Sequence, residues 1–420
     1  MRYQILFWTV LLLHVTNSYA LSLKERALWA EDITQLQTLI KERHIDPFVN
    51  IQERKFDSEV DQLIERLPEL NKSQVEVEIM RLVRSIGDAH TSYNIMSGPH
   101  RHYPFQFQYF NEKLKVVDTV EEYDFLLGAE LIGINGYSLT QLQKKLLSYV
   151  NYVDNSYSFK HSFSFHITVN NFLFGTGVSE ELDVAVFEFT KNDKPITVNM
   201  ESVSMREFAG LNTRYVITEP EIQYFNYDLP GIRLAYLDSY RTVYINFDSY
   251  PEFAQLQKYC KNIEHRIRKS GARNLVIDFR DNQGGDFYVG LALSACIQNL
   301  DQLDWRDGIF VMMDSGTQSA AMSNAAQFQQ ILNATLVGSL TGADPNIAAE
   351  TNRFRLKNSN RSISISKRYY SFTQPPSDAL YPDIPMATSW VDYLEGKDGA
   401  LLQLLSLIQE KDRETRLELH

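Results

Sequence analysis

Cysteine is nearly missing from this chain. Two of its 420 residues are cysteine, Cys260 and Cys296, which excludes a disulfide-scaffolded domain and a thiolate zinc cluster. Basic runs are missing as well. Lys and Arg number 41 against 53 Asp and Glu, a net charge of -12, so a phosphate backbone is not an expected partner and no nucleic acid is implied. No internal repeat, heptad period or low-complexity tract is present, which removes the coiled-coil, collagen-like and disordered classes. What is present is ordinary globular material, 44% hydrophobic and 22% charged. Its length suits two or three domains at roughly 150 residues each.

The one long apolar run lies at the start. Arg2 precedes the run Ile5 to Val15, and Ser18 and Ala20 supply the small residues of a cleavage site. At about eleven residues the run is too short to cross a bilayer, which takes roughly twenty. Residues 1–20 therefore read as a signal peptide, with an uncleaved anchor or a buried first helix as the alternative. The mature protein is expected to be exported, to the periplasm or the extracellular space, with no membrane span once the signal is removed. Export permits a disulfide. Cys260 and Cys296 fall in two helical stretches, so they are either bridged or, the commoner outcome, two buried free thiols.

Three regions follow. Residues 21–96 carry helical periodicity, as in Ile33, Leu36, Leu39, Ile40 and Val60, Leu63, Ile64, Leu67. A third helix is expected over about 73–86, capped by Ser73 with Glu76 three residues on, and it ends at Gly87. Residues 97–225 alternate and read as β-rich. A hairpin is expected around Asn111-Glu112-Lys113, a turn at Asn135-Gly136, a helix from Ser138 to Val150, and strand-like aromatic sequence over 151–215. From 226 to 412 strand and helix patterns succeed one another. Strands are expected at Val243–Phe247, Asn274–Phe279, Gly308–Met313 and Thr335–Gly338. Helices are expected at Glu252–Ser270, Asp286–Gln298 and Ser319–Leu332. This is the βαβ succession of a layered α/β domain.

Three short stretches carry the chemistry. Gly87-Asp88-Ala89-His90-Thr91 puts a histidine beside a carboxylate at a helix end. Asp278-Phe-Arg280-Asp-Asn282-Gln-Gly284-Gly285 feeds a buried strand through a Gly-Gly turn into a helix, and Thr317-Gln-Ser319-Ala320-Ala321 starts another helix with a serine. A serine there projects its hydroxyl next to free backbone N–H groups. A Gly-Gly turn on the neighbouring parallel strand brings further N–H groups to the same point. Together they suit an oxyanion hole, and His90 suits the base that a neutral hydroxyl needs. Taken singly each has a plain structural reading: Ser319 as a helix cap, His90 as a partner for the end of its helix, and the glycines as a turn.

In order along the chain, the three stretches resemble the tail-specific (carboxyl-terminal processing) serine peptidase family, and within it the Ser-His branch to which the tricorn core protease is similar. Val337-Gly338-Ser-Leu-Thr341-Gly342-Ala-Asp-Pro345-Asn346 and Tyr381-Pro382-Asp383-Ile384 are similar to later family motifs. Leu127 to Gly136 resembles the edge of a PDZ-like module. The resemblance implies an α/β fold: a ClpP/crotonase-like catalytic domain over 226–412, preceded by the helical region and a β-rich, partly PDZ-like module. It implies a serine endopeptidase acting on polypeptides through an acyl-enzyme on Ser319, with His90 as general base. Backbone N–H groups of Gly284, Gly285 and Ala320 would hold the oxyanion, and neither metal nor organic cofactor takes part.

The match departs from the family in three places, one of them Gln283 in the Gly-Gly motif, where a glycine or asparagine is commoner. The lysine that the Ser-Lys branch keeps after its serine is replaced here by the neighbourhood Gly342-Ala343-Asp344, which throws the weight onto His90. The orienting acid expected shortly before Pro-Asp-Ile has one candidate, Asp378. A non-catalytic ligand- or peptide-binding protein on the same fold is the competing reading. A crotonase-type acyl-CoA enzyme is disfavoured by the export signal.

Overall fold

Polar caps set where the chain begins to coil. Ser22 and Glu25 close a reciprocal capping box at the start of the helix Leu23–Arg43, and the helix Glu53–Arg66 packs against it. The third helix, Lys72–Arg84, is capped by Asn71 with Gln74 rather than by Ser73. Ser73 lies inside the helix instead, buried, its hydroxyl accepting from Asn171 Nδ2 at 2.7 Å. The structure, a computed structural model, describes residues 20–211, 216–226 and 229–418. Apart from Ala20, the expected signal segment lies outside the described residues.

The middle of the chain forms an antiparallel sheet in the order Phe105–Phe110, Lys113–Thr119, Glu130–Ile134, Val184–Lys191, Lys194–Glu201. Its first turn sits at Asn111 and Glu112, both with positive φ, and Asn135-Gly136 makes the second expected turn. The helix after it is shorter than expected, Leu139–Leu146, with Ser138 as its cap. The strand-like reading of 151–215 is corrected in part. Two helices, Ser156–His166 and Asn170–Gly175, precede the hairpin Val184–Lys191/Lys194–Glu201. The alternation of serine and aromatic over 156–166 imitates a strand. The residues that are buried, Ser158, Phe159, Ser162, Phe163 and His166, nonetheless follow the helical period.

The last third is the expected α/β layer. Six strands run in the order Ile384–Pro385, Thr335–Gly338, Ile309–Met313, Asn274–Asp278, Thr242–Phe247, Ile232–Leu237, all parallel except for the last, antiparallel edge. Alternate side chains go to opposite faces. Leu275, Ile277, Val311 and Met313 join the core under the helices Phe253–Ser270, Phe287–Ile297 and Ser319–Ile331. Val276, Phe310 and Met312 face the helix Gly399–Glu418 through Leu401, Leu404, Leu405 and Ile408. Helices Phe253–Ser270 and Phe287–Ile297 lie side by side, and there Cys260 and Cys296 are joined in a disulfide across a Cα separation of 5.4 Å. This corrects the expectation of two buried free thiols as the commoner outcome, because spacing along a sequence cannot say which faces two helices turn to each other.

A third, small sheet ties the ends of the chain together. The strand Ser92–Tyr93, directly after His90, pairs with Ser362–Tyr369, which pairs in turn with Ala348–Arg355. Leu356, Ile363 and Ile365 of this hairpin enter the same apolar core as the N-terminal helices and the middle sheet.

Candidate active site

Parallel strands in register bring their carboxyl ends together, and the loops that follow them share one edge of the sheet. Asp278 stands opposite Met312, so the Gly-Gly loop and the Ser319 loop leave the sheet as neighbours. Their contacts are polar and dense. Thr317 Oγ1 donates to Phe279 O at 2.9 Å and accepts from Asp314 N at 2.9 Å, and Gln318 N donates to Asn282 O at 2.9 Å. Asn282, fully buried, donates to Phe247 O at 2.6 Å and accepts the N–H of Gly284 at 2.8 Å.

Ser319 sits at φ +48°, a left-handed conformation that a side chain rarely adopts. Strain of this kind is tolerated where the surroundings over-determine it, commonly at functional sites. Gly284, at φ +90°, is part of that surrounding. A Cβ there would lie 2.7 Å from Ser319 Cβ and 2.9 Å from Ala320 N, so only glycine fits. Because the N–H of Gly284 is already committed to Asn282, the expected oxyanion set narrows to the N–H groups of Gly285 and Ala320. The latter lies in the first turn of its helix, where N–H groups lack intrahelical partners.

His90 arrives from the other side. The helix Lys72–Arg84 ends, Gly87 turns at φ +97°, and Asn50 Nδ2 ties down Ile86 O at 3.1 Å. Asp88 then anchors the loop, accepting from Thr91 N at 2.6 Å and Ser366 Oγ at 2.5 Å and meeting His44 Nε2 at 2.8 Å. Burial alone would raise the Asp88 carboxyl, but these hydrogen bonds and His44 outweigh it and hold it below its usual value. His90 Nε2 lies 2.8 Å from Ser319 Oγ. Burial lowers the His90 pKa, against the pull of Asp88, which favours the neutral ring that can accept a proton.

The structure does not bring Asp378 to His90. Its carboxylate is exposed and meets the Tyr381 hydroxyl at 3.4 Å, while its backbone carbonyl is pinned by Asn155 Nδ2 at 2.8 Å. His90 Nδ1 is buried without a hydrogen-bond partner. The residues that sequence reasoning passed over are Asp154 and Asn155. Asp154 accepts the N–H of Ala89, next to His90, at 2.6 Å. A cap signal was readable at Asn155, which accepts from the N–H groups of Tyr157 and Ser158.

A cavity of about 620 Å³ opens beside His90 and Ser319. One wall is aromatic: Phe287, Tyr370 and Phe372 contact one another, the last two stacked at 5.5 Å. Glu350 and Lys367 also line it. Among the described residues no cluster of three or more His, Cys, Asp or Glu could hold a metal ion, and no helix is long and apolar enough to cross a membrane.

No family model and no curated protein matches the sequence. Solved structures do match. Mature CPAF superposes with a TM-score of 0.66 at 10% identity, covering 92% of this chain and 97% of that one. Mature CPAF complexed with lactacystin gives 0.64 at 9% identity, covering 92% and 98%. The photosystem II D1 C-terminal processing protease is a looser likeness, 0.41 at 11% identity, covering 89% and 98%. CPAF is a member of the tail-specific serine protease family, and the chain shares its fold with it.

Proposed function

We propose that this protein is an exported serine endopeptidase that cleaves polypeptides through an acyl-enzyme on Ser319. One observation carries the reading: a serine in a strained, left-handed turn whose Oγ lies 2.8 Å from a histidine nitrogen. His90 Nε2 takes the hydroxyl proton as Oγ bonds to the scissile carbonyl carbon. The resulting oxyanion is held by the N–H groups of Gly285 and Ala320. His90 then gives the proton to the departing amine as the C–N bond breaks, and water, activated by the same ring, releases the acyl group. Asp378 has no part in this scheme. A dyad whose histidine lacks an orienting carboxylate is slower than a triad but not inert.

The fold likeness to tail-specific serine proteases supports the assignment, and the complex of CPAF with lactacystin supports a site that takes peptide-like ligands. The parallel βαβ layer over 226–412 is what a ClpP/crotonase-like catalytic domain requires. The six-stranded middle sheet with its capped helix suits a PDZ-like module, over residues 97–225, after a helical region over 21–96. The Cys260–Cys296 bond favours an oxidising compartment, periplasmic or extracellular.

The unpartnered His90 Nδ1 favours a second reading, a non-catalytic peptide-binding protein on this fold. A fluorophosphonate probe separates the two. It is expected to label the mature protein at Ser319, not to label Ser319→Ala, and to react far more slowly with His90→Ala. Wild type as inert as Ser319→Ala, to the probe and to denatured casein alike, would decide for the binding protein.

A further inference from the structure

The two halves of the site hang on different cores. His90 follows a helix whose Val77, Met80 and Val83 belong to the core of the N-terminal helices and the middle sheet. Ser319 starts a helix whose Ala321, Met322 and Ala325 belong to the core of the α/β layer. A 2.8 Å contact between groups on separate cores lasts only if something fixes one against the other. Two adjacent side chains cross that gap. Asp154 Oδ1 accepts the N–H of Ala89 at 2.6 Å, and its Oδ2 accepts the N–H of Asp344 at 3.3 Å. Asn155 Nδ2 donates to Thr341 O at 3.1 Å and Asp378 O at 2.8 Å. Ala89 immediately precedes His90. The loop holding Thr341 and Asp344 backs the nucleophile turn so closely that a Cβ on Gly342 would fall 2.3 Å from Ser315 O.

We propose that Asp154 and Asn155 are positioning residues, a clasp that keeps the His90 loop within reach of Ser319 and grips most firmly when Asp154 is ionised. The proposal rests on the peptidase reading for its catalytic consequence, though not for its geometry. An ionised carboxylate accepts from both N–H groups, whereas a protonated one turns one oxygen into a donor facing an N–H. The charge is finely poised. Loss of solvent pushes the Asp154 pKa up to about 7, helped by the neighbouring Asp88 and Asp344 and opposed by the two N–H groups. Arg84, at the end of the helix Lys72–Arg84, is the cation that feels both Asp154 and Asp88. Asp344 in turn feels Asp378. Sequence alone could not reveal this pairing, since Ala89 and Asp344 lie 65 and 190 residues from Asp154.

The test uses the full chain and two variants. Asp154→Asn is isosteric but, like the protonated acid, accepts from one N–H only. Asn155→Asp keeps the oxygen that caps the helix Ser156–His166 and loses the donor to Thr341 and Asp378. Fluorophosphonate labelling is followed across about pH 5 to 9, and amide hydrogen exchange over residues 87–92 and 341–346. Above about pH 8 both variants are expected to label more slowly by about tenfold or more. The inflection near neutral pH should vanish in Asp154→Asn, leaving that of His90, and exchange should quicken in both segments. Wild-type rates with an unchanged pH profile, or unchanged exchange in both segments, would overturn the clasp. If wild type itself fails to label, the peptidase reading falls, and exchange still decides the clasp. If Asp154→Asn does not fold, Asn155→Asp decides it alone.

Discussion

Gly284→Ala puts the geometry around Ser319 under the most direct strain. The new methyl would stand 2.7 Å from Ser319 Cβ, 2.9 Å from Ala320 N and 2.9 Å from Gln318 O. Two costs arise and can be separated. The first is backbone: at φ +90° an alanine loses about 1–2 kcal/mol relative to the right-handed region. The second is overpacking, about 1–3 kcal/mol where the neighbours cannot retreat. Gly271 supplies the control. It ends the helix Phe253–Ser270 at φ +67°, and a methyl group placed on it would meet nothing within 4 Å, so Gly271→Ala carries the first cost alone. At about 2–4 °C per kcal/mol for a domain of this size, Gly271→Ala should lower Tm by about 2–8 °C, and Gly284→Ala by clearly more. The catalytic effect separates them further. Restoring ordinary contact from 2.7 Å moves Ser319 or its neighbour by about 0.7 Å, and displacements near 1 Å cost about a hundredfold. Labelling of Gly284→Ala should therefore be slower by about 10- to 100-fold, while Gly271→Ala labels at the wild-type rate. Equal labelling of the two variants would refute the argument that Gly284 shapes the nucleophile turn.

Two further outcomes follow from buried groups elsewhere. His102 and His166 are buried, His102 with neither ring nitrogen hydrogen-bonded, and burial lowers both pKa values from 6.5 to about 4. Below 6.5 the unfolded chain takes up protons that the folded chain refuses, so stability should fall as pH drops from about 6.5 to 4. His102→Phe, beside the stacked Phe208 ring, should flatten that limb in thermal melts, and superposable acid limbs would count against it. The Cys260–Cys296 bond closes a separation of 36 residues, which a chain-entropy estimate values at about 3–4 kcal/mol. Melting with and without reductant should differ accordingly, and coincident curves would show that the bond constrains little.

Much of this architecture was legible because its signals are local. The apolar run Asn274–Asp278 reads as a buried strand whatever surrounds it, and the Gly-Gly and Thr-x-Ser turns follow strands whose ends must adjoin. The helix Ser156–His166 was hidden because alternating serine and aromatic residues satisfy the strand period, while burial selects every third or fourth position. The candidate site was legible in its two main groups and not in its support. Asp378 stands at a motif-like position, yet its direction depends on Asn155, 223 residues earlier. Asp154 and the facing of the two cysteines share that character, since their meaning lies in partners that only the folded chain supplies.

The separation of 229 positions between His90 and Ser319 has a consequence in time. Synthesis delivers the histidine early and the serine late, and the histidine's core is completed only by segments that follow the serine. That core takes in Leu356, Ile363 and Ile365, made after Ser319, so a chain still in synthesis has the site's first half incomplete when the serine arrives. On the peptidase reading, cutting power is absent from every partly made or partly folded form. It emerges only when both cores have formed and met, so the cell that makes the protein is shielded from it by the order of assembly.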